Sequence, residues 1–262
     1  MKNKALAQWR NGEKSLGVWV GLSDVTMTEV ISRLGADWIC FDMQHGLMDY
    51  THLIPLLPAI AGQDVTPIAR VAANREDLIG KALDAGIQGV IVPMVNTAEE
   101  AAAAVSACYY PPVGLRSCGP MRPILLNGPE YMAQSNDETA CIVMIETEEG
   151  LRNADAIAAV EGLDAIFVGP VDLCYGLGIT PGDFTNPLFT EALSKVLAVC
   201  RKNNLAAGIF GYSPELARQA LDQGFDFASA GTDLSFYRDG LTRGMTIARG
   251  ENPDQNKAQG GY

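Results

Sequence analysis

The chain has 262 residues, 48% of them hydrophobic and 19% charged, with a formal net charge of −12. That is enough apolar material for one large α/β domain, and it excludes a disordered or coiled-coil chain. The acidic balance argues against nucleic acid or an anionic membrane as partner, since either needs a basic face. A small anion stays open as a ligand, because a few local cations can hold one carboxylate. The first residues lack the apolar stretch of a signal peptide, and no run of about 18 apolar residues suggests a membrane span. The six cysteines occur singly, without a CxxC pair, and Cys40, Cys141 and Cys200 lie in apolar runs. They read as small core residues of a protein in the reducing cytoplasm.

Short β-rich runs alternate with helical patterns along the chain. A strand is expected over 16–22, then a helix capped by Asp24 that ends at Gly35. The second strand is 37–42 (DWICFD), followed by a helix over 50–61; the third is 66–71 (TPIARV), followed by a helix over 75–85. The fourth is 89–94 (GVIVPM), with the alanine-rich helix 97–107 behind it. Strands at 141–146 (CIVMIE), 165–169 (AIFVG), 206–210 and 226–230 complete the series, with helices over 149–159, 187–203, 213–223 and 234–248. The strands are mostly continuous apolar runs, the mark of parallel strands covered on both faces. Eight strands, each followed by a helix, predict a single (β/α)8 TIM barrel over residues 1–250. A doubly wound open sheet is the weaker alternative, because no GxGxxG follows the first strand. Residues 108–140 form a long connection between the fourth helix and the fifth strand, and 251–262 a polar, Gly-rich tail that is free or held by a partner.

Polar residues interrupt the apolar strands at their carboxyl ends, where barrels of this kind carry their chemistry. The second strand ends in Asp42, followed by Gln44 and His45; the third in Arg70; the fifth in Glu146; the sixth runs into Gly169-Pro170-Val171-Asp172. A charge at the end of a buried run is costly unless paired or bound to an ion. Glu146 and Asp172 lie one strand-to-strand period apart, so their carboxylates fall on neighbouring strand ends. A divalent cation would relieve their repulsion, and two protein oxygens leave room for water and substrate in the manner of magnesium and manganese sites. Zinc is disfavoured, since no Cys or His cluster is present. At the rim His45 is placed to act as general base, or else caps and packs; His52 lies on a helix. Arg70 suits an oxyanion or carboxylate. The amides of Val171 and Asp172 can point at a substrate carboxylate. Asp84, by position, is an ordinary helix-end carboxylate.

Taken together these stretches resemble the HpcH/HpaI family of class II pyruvate aldolases. The resemblance rests on Gly17-Val18-Trp19, Phe41-Asp42-Met43-Gln44-His45-Gly46, Ile68-Ala69-Arg70-Val71, Leu83-Asp84-Ala85-Gly86, the run VIVPMV at 90–95, Tyr110-Pro111-Pro112-x-Gly-x-Arg116, Ile145-Glu146-Thr147 and Phe167-Val168-Gly169-Pro170-x-Asp172-Leu173. It implies a TIM barrel that cleaves 4-hydroxy-2-oxo acids to pyruvate and an aldehyde, with magnesium, manganese or cobalt held by Glu146 and Asp172. It further implies that His45 works with Asp84 in proton transfer, that Arg70 stabilises the enolate, that substrate is met by Trp19, Arg70, Gly169, Pro170, Val171 and Asp172, and that the chain forms a homo-oligomer, a trimer or hexamer. Two positions depart from the family pattern: Gln44 where Glu is frequent, and Met144 where Gln is frequent. The loop from Arg116 to Arg122 adds cations that, by analogy, reach a neighbour's site and a distal carboxylate. Rival readings are an oxaloacetate decarboxylase, a CoA-ester lyase, and a binding protein with an impaired site. No lysine falls at an expected strand end, which points away from Schiff-base chemistry.

Overall fold

In the computed structural model, which describes residues 2–253, eight parallel strands close into a barrel. They are β1 (Ser15–Val20), β2 (Trp38–Asp42), β3 (Thr66–Arg70), β4 (Gly89–Val92), β5 (Ala140–Ile145), β6 (Ala165–Val168), β7 (Ala206–Ile209) and β8 (Phe227–Thr232). Each pairs with its chain neighbours, and β8 returns to β1. The expected (β/α)8 barrel is therefore the observed one. Helices α2 (Val25–Ser32), α3 (Tyr50–Ala59), α4 (Glu76–Ala85), α5 (Ala98–Cys108), α11 (Pro187–Lys202), α12 (Pro214–Gln223) and α13 (Asp233–Ala248) follow the strands as anticipated. The helix expected over 149–159 is broken at Asn153 into α8 (Glu148–Arg152) and α9 (Ala154–Ala158), where the Asn153 side chain donates to the Asn96 carbonyl instead of facing solvent.

Period-two alternation divides the strand side chains between two cores. Ile39 and Phe41 of β2 face the helices; Trp38 and Cys40 face the barrel interior, together with Ile68 of β3, Ile142 and Met144 of β5, and Phe167 of β6. Continuing the same alternation one step brings Asp42, Arg70 and Glu146 onto the inner face, at the carboxyl-terminal mouth. Helix periodicity supplies the outer layer: Phe189, Ala192, Leu193, Val196, Val199 and Cys200 form the buried stripe of α11. Two glycines are fixed by close approach inside the barrel. A Cβ on Gly17 would sit 2.0 Å from the Trp38 ring, and one on Gly208 would meet Phe227 at 2.3 Å.

Three features were not expected from the sequence. A helix, α1 (Lys4–Arg10), plugs the amino-terminal end of the barrel: Trp9 stacks on Phe227 at 4.1 Å and donates its indole N–H to Ser15 Oγ at 2.8 Å. The long connection over 108–140 holds α6 (Met121–Asn127) and α7 (Tyr131–Glu138). The Gly-Pro-Val-Asp segment opens α10 (Pro170–Gly176), with Pro170 at a first-turn position where its missing N–H costs nothing. Of the expected polar tail, 254–262 lie outside the described residues.

Candidate active site

At the mouth of the barrel Asp42 and Arg70 are register partners on β2 and β3. The guanidinium grips the carboxylate with two hydrogen bonds, Nε to Oδ1 at 2.9 Å and Nη2 to Oδ2 at 2.6 Å. Asp42 Oδ1 also accepts the backbone N–H groups of Gln44 at 3.1 Å and His45 at 3.2 Å, which ties down the loop that carries both. Burial alone would raise the Asp42 carboxyl, but the hydrogen bonds and charge of Arg70 outweigh it and hold the group below its ordinary range. Arg70 rests over the Trp19 ring, 5.1 Å from its centroid. Trp19, expected against the substrate, is itself buried between Phe167 and Phe210, and its indole N–H has no partner among the described residues.

Two strands further round, Glu146 follows β5 with only 2% of its surface exposed. Its Oε1 accepts the Met94 N–H at 2.7 Å, an amide aimed there by a left-handed backbone at Met94 (φ 57°). Gly169 makes the space: a Cβ there would lie 2.5 Å from Glu146 Oε2 and 3.0 Å from Met144 Cε. Met144 thus forms an apolar floor beneath the carboxylate. Burial pushes the Glu146 carboxyl up, as does the charge of Asp172, against the pull of the Met94 amide and Arg70. Asp172 is exposed, in the first turn of α10, where the N–H groups of Val171 and Asp172 have no helical carbonyl to bond. A buried carboxylate, a second one close enough to raise it, and a glycine that clears its free oxygen suit a divalent cation. Among the described residues no three of His, Cys, Asp and Glu gather as a metal-holding group. His45 is exposed at the same rim.

Asp84 is elsewhere. Helix α4 runs back from the mouth, and Asp84 stands in its last turn, near Gln88, whose N–H bonds the Pro67 carbonyl and whose own carbonyl accepts Asn3. That is the amino-terminal end of the barrel, so the expected partnership of Asp84 with His45 is not made within one chain. Asp84 pairs instead with Arg116 at 2.9 Å, and Arg122 donates to the Ala85 carbonyl at 2.5 Å. Asp42 is the residue whose importance sequence reasoning undervalued; its position at a strand end was visible, its grip on Arg70 and the His45 loop was not. Met94 gave no signal, because its contribution is a backbone amide.

The family model of the HpcH/HpaI aldolase/citrate lyase matches residues 15–239. The chain belongs to that family. It is 40% identical over 236 residues to a hydroxypyruvate/pyruvate aldolase of Rhizorhabdus wittichii, covering 89% of this chain and 93% of that one. It is 37% identical over 243 residues to a 5-keto-4-deoxy-D-glucarate aldolase of Escherichia fergusonii, covering 92% and 94%. The crystal structure of an HpcH/HpaI aldolase/citrate lyase family protein from Burkholderia cenocepacia superposes with a TM-score of 0.89 at 31% identity, over 95% of this chain and all of the other. The family match, with aldolase relatives at 37–40% identity over most of the chain, makes this barrel an aldolase, a carbon–carbon lyase.

Proposed function

We propose that the chain cleaves 4-hydroxy-2-oxo acids reversibly to pyruvate, or a related 2-oxo acid, and an aldehyde, with a divalent cation (magnesium, manganese or cobalt) between Glu146 and Asp172. The observation that carries this is the buried, upshifted Glu146 beside Asp172, with Gly169 leaving its second oxygen clear. The cation would act as Lewis acid on the 2-oxo acid and draw electrons toward its carbonyl. Cleavage removes the proton of the C4 hydroxyl, breaks the C3–C4 bond and leaves its electron pair in the enolate of the 2-oxo acid; protonation at C3 completes the turnover. Arg70 faces the enolate oxygen with Nη1, since Nε and Nη2 are held by Asp42. The free amides of Val171 and Asp172, beside Gly169 and Pro170, receive the substrate carboxylate, and Trp19 fixes the height of Arg70 from below. His45 moves the proton at the rim.

A dyad of His45 with Asp84 needs the Asp84–Arg116 pair of a second copy, so we infer a homo-oligomer, a trimer or hexamer, in which the site is shared. Exposed Phe236, Tyr237, Leu241 and Met245 on α13 offer an apolar face for it. All six cysteines are free and five are buried, which supports the cytoplasm as the working compartment. Among the described residues no helix is long and apolar enough to cross a membrane. Lys81, Lys195 and Lys202 lie on the outer helices α4 and α11, away from the mouth. Chelator should therefore abolish pyruvate–aldehyde condensation, restored by manganese, while borohydride with pyruvate leaves it intact. Inactivation by borohydride, with indifference to chelator, would overturn the proposal; turnover of oxaloacetate without any condensation would favour a decarboxylase.

A further inference from the structure

His45 stands on the loop after β2, and that loop is tied down on both sides of it. On one side the N–H groups of Gln44 and of His45 itself go to Asp42 Oδ1, at 3.1 and 3.2 Å. On the other the Leu47 N–H goes to the Gly21 carbonyl at 2.7 Å. Gly46 packs against Gly21 in between: a Cβ on it would lie 2.2 Å from the Asp42 carbonyl oxygen and 3.1 Å from Gly21 Cα. The first anchor is accounted for, because Arg70 grips Asp42. The second is only as firm as Gly21.

Gly21 follows β1, in a stretch that belongs to neither helix nor strand. What holds it lies across the seam where the barrel closes. There β1 pairs with β8, Trp19 opposite Thr232, and the next residue along, Asp233, opens α13. Asp233 is only 4% exposed. Its Oδ1 accepts the Gly21 N–H at 3.1 Å and its Oδ2 the Leu22 N–H at 2.9 Å; the Leu234 N–H adds a third bond at 2.8 Å. A carboxylate buried this far is costly unless its oxygens are satisfied, and two of these three donors belong to the loop after β1. Capping does not explain the reach across the seam. The start of α13 is already capped by Thr232 and Ser235, whose side chains accept each other's backbone N–H at 2.9 and 3.0 Å.

We propose that Asp233 is a positioning residue for His45. By gripping the amides of Gly21 and Leu22 it fixes the surface on which Gly46 and Leu47 seat, and so sets where His45 presents its ring to the proton in transit. The link runs through two kinds of bond, carboxylate to amide and then carbonyl to amide. It rests on the aldolase reading above, with His45 as the group that moves the proton.

The test reads the proton step alone, as manganese-dependent exchange of the pyruvate methyl protons with deuterium from solvent, followed by NMR without aldehyde. Rates are taken per manganese bound, so unfolded chains drop out. Misplacing a catalytic group by about 1 Å can cost about a hundredfold, so Asp233→Ala should slow exchange by about ten- to a hundredfold. The KM for pyruvate should hold, because Glu146 and Asp172 stand on other strand ends. Asp233→Asn, which keeps one accepting oxygen, should fall between Asp233→Ala and wild type. Trp9→Ala, which loosens the opposite end of the barrel, should leave the rate unchanged. A double-mutant cycle decides whether the effect passes through His45: in a His45→Gln background, Asp233→Ala should slow exchange no further. Losses that multiply in the double variant, or an unchanged rate in both Asp233→Ala and Asp233→Asn, overturn the inference. Exchange that His45→Gln does not slow removes the role of His45, and that of Asp233 with it. Absence of exchange in the wild type, with manganese bound, sinks the aldolase reading beneath both.

Discussion

Replacing Arg70 by methionine removes one partner of a nearly buried ion pair and leaves the other in place. The side chains of Arg70 and Asp42 are 12% and 6% exposed, and they share two hydrogen bonds of 2.9 and 2.6 Å. In Arg70→Met the Asp42 carboxylate keeps only the Gln44 and His45 amides, at 3.1 and 3.2 Å. Breaking a buried pair from one side costs about 3–5 kcal/mol; the two remaining amides place this case near the lower end, about 3 kcal/mol. In a chain of this size that lowers Tm by roughly 6–12 °C near neutral pH. The pH dependence gives a sharper test. In the wild type the folded-state pKa of Asp42 is depressed by Arg70. The pair's stabilisation is thus fully present above the unfolded carboxyl pKa and is lost as pH falls through the folded value. In the variant the burial of the carboxyl is no longer offset by Arg70, so the penalty is greatest at neutral pH and shrinks as Asp42 protonates. Thermal melts of both proteins at neutral pH and at about pH 4 should show the gap between them narrowing on acidification. A gap below about 2 °C at neutral pH, or one that stays constant, would refute this account of the mouth.

Three other substitutions follow from the geometry. Gly169→Ala places a methyl within 2.5 Å of Glu146 Oε2, so calorimetry should show manganese affinity reduced about tenfold or more while circular dichroism stays that of the barrel. Glu146→Gln removes a carboxylate whose folded pKa is raised by burial and by Asp172; such a group costs stability as pH rises above its unfolded pKa. The variant should melt higher than wild type in chelator by a few degrees and gain nothing when manganese is added. Trp9→Ala withdraws the plug stacked on Phe227 and the bond to Ser15, and urea titration should record a loss of about 3–5 kcal/mol with the register of the strands kept.

The barrel was legible because eight apolar runs, spaced by capped helices, admit few other arrangements, and because Asp42, Arg70 and Glu146 stand out where such runs end. Continuous apolar strands conceal which face each residue takes; only closure of the barrel sorts Trp38 inward from Phe41 outward. The plug helix was illegible because its seven residues carry only three buried side chains, Ala5, Leu6 and Trp9, too short a stripe for periodicity to register. Asp84 shows a different limit: a motif marks a residue without saying at which end of its own barrel it lies, and helix direction sends this one to the far end, so that its proposed work with His45 requires a second copy. Gln44 is visible in the sequence as a departure from the family pattern, but that its Oε1 is buried without a donor among the described residues is a property of packing.

Manganese binding tests the proposed cation between Glu146 and Asp172 most directly. Electron paramagnetic resonance of free manganese, titrated with protein, should show one ion bound per chain. Binding should be lost in Glu146→Ala and in Asp172→Ala, and kept in Gln44→Leu. Undiminished binding by the chain lacking both carboxylates would contradict the claim.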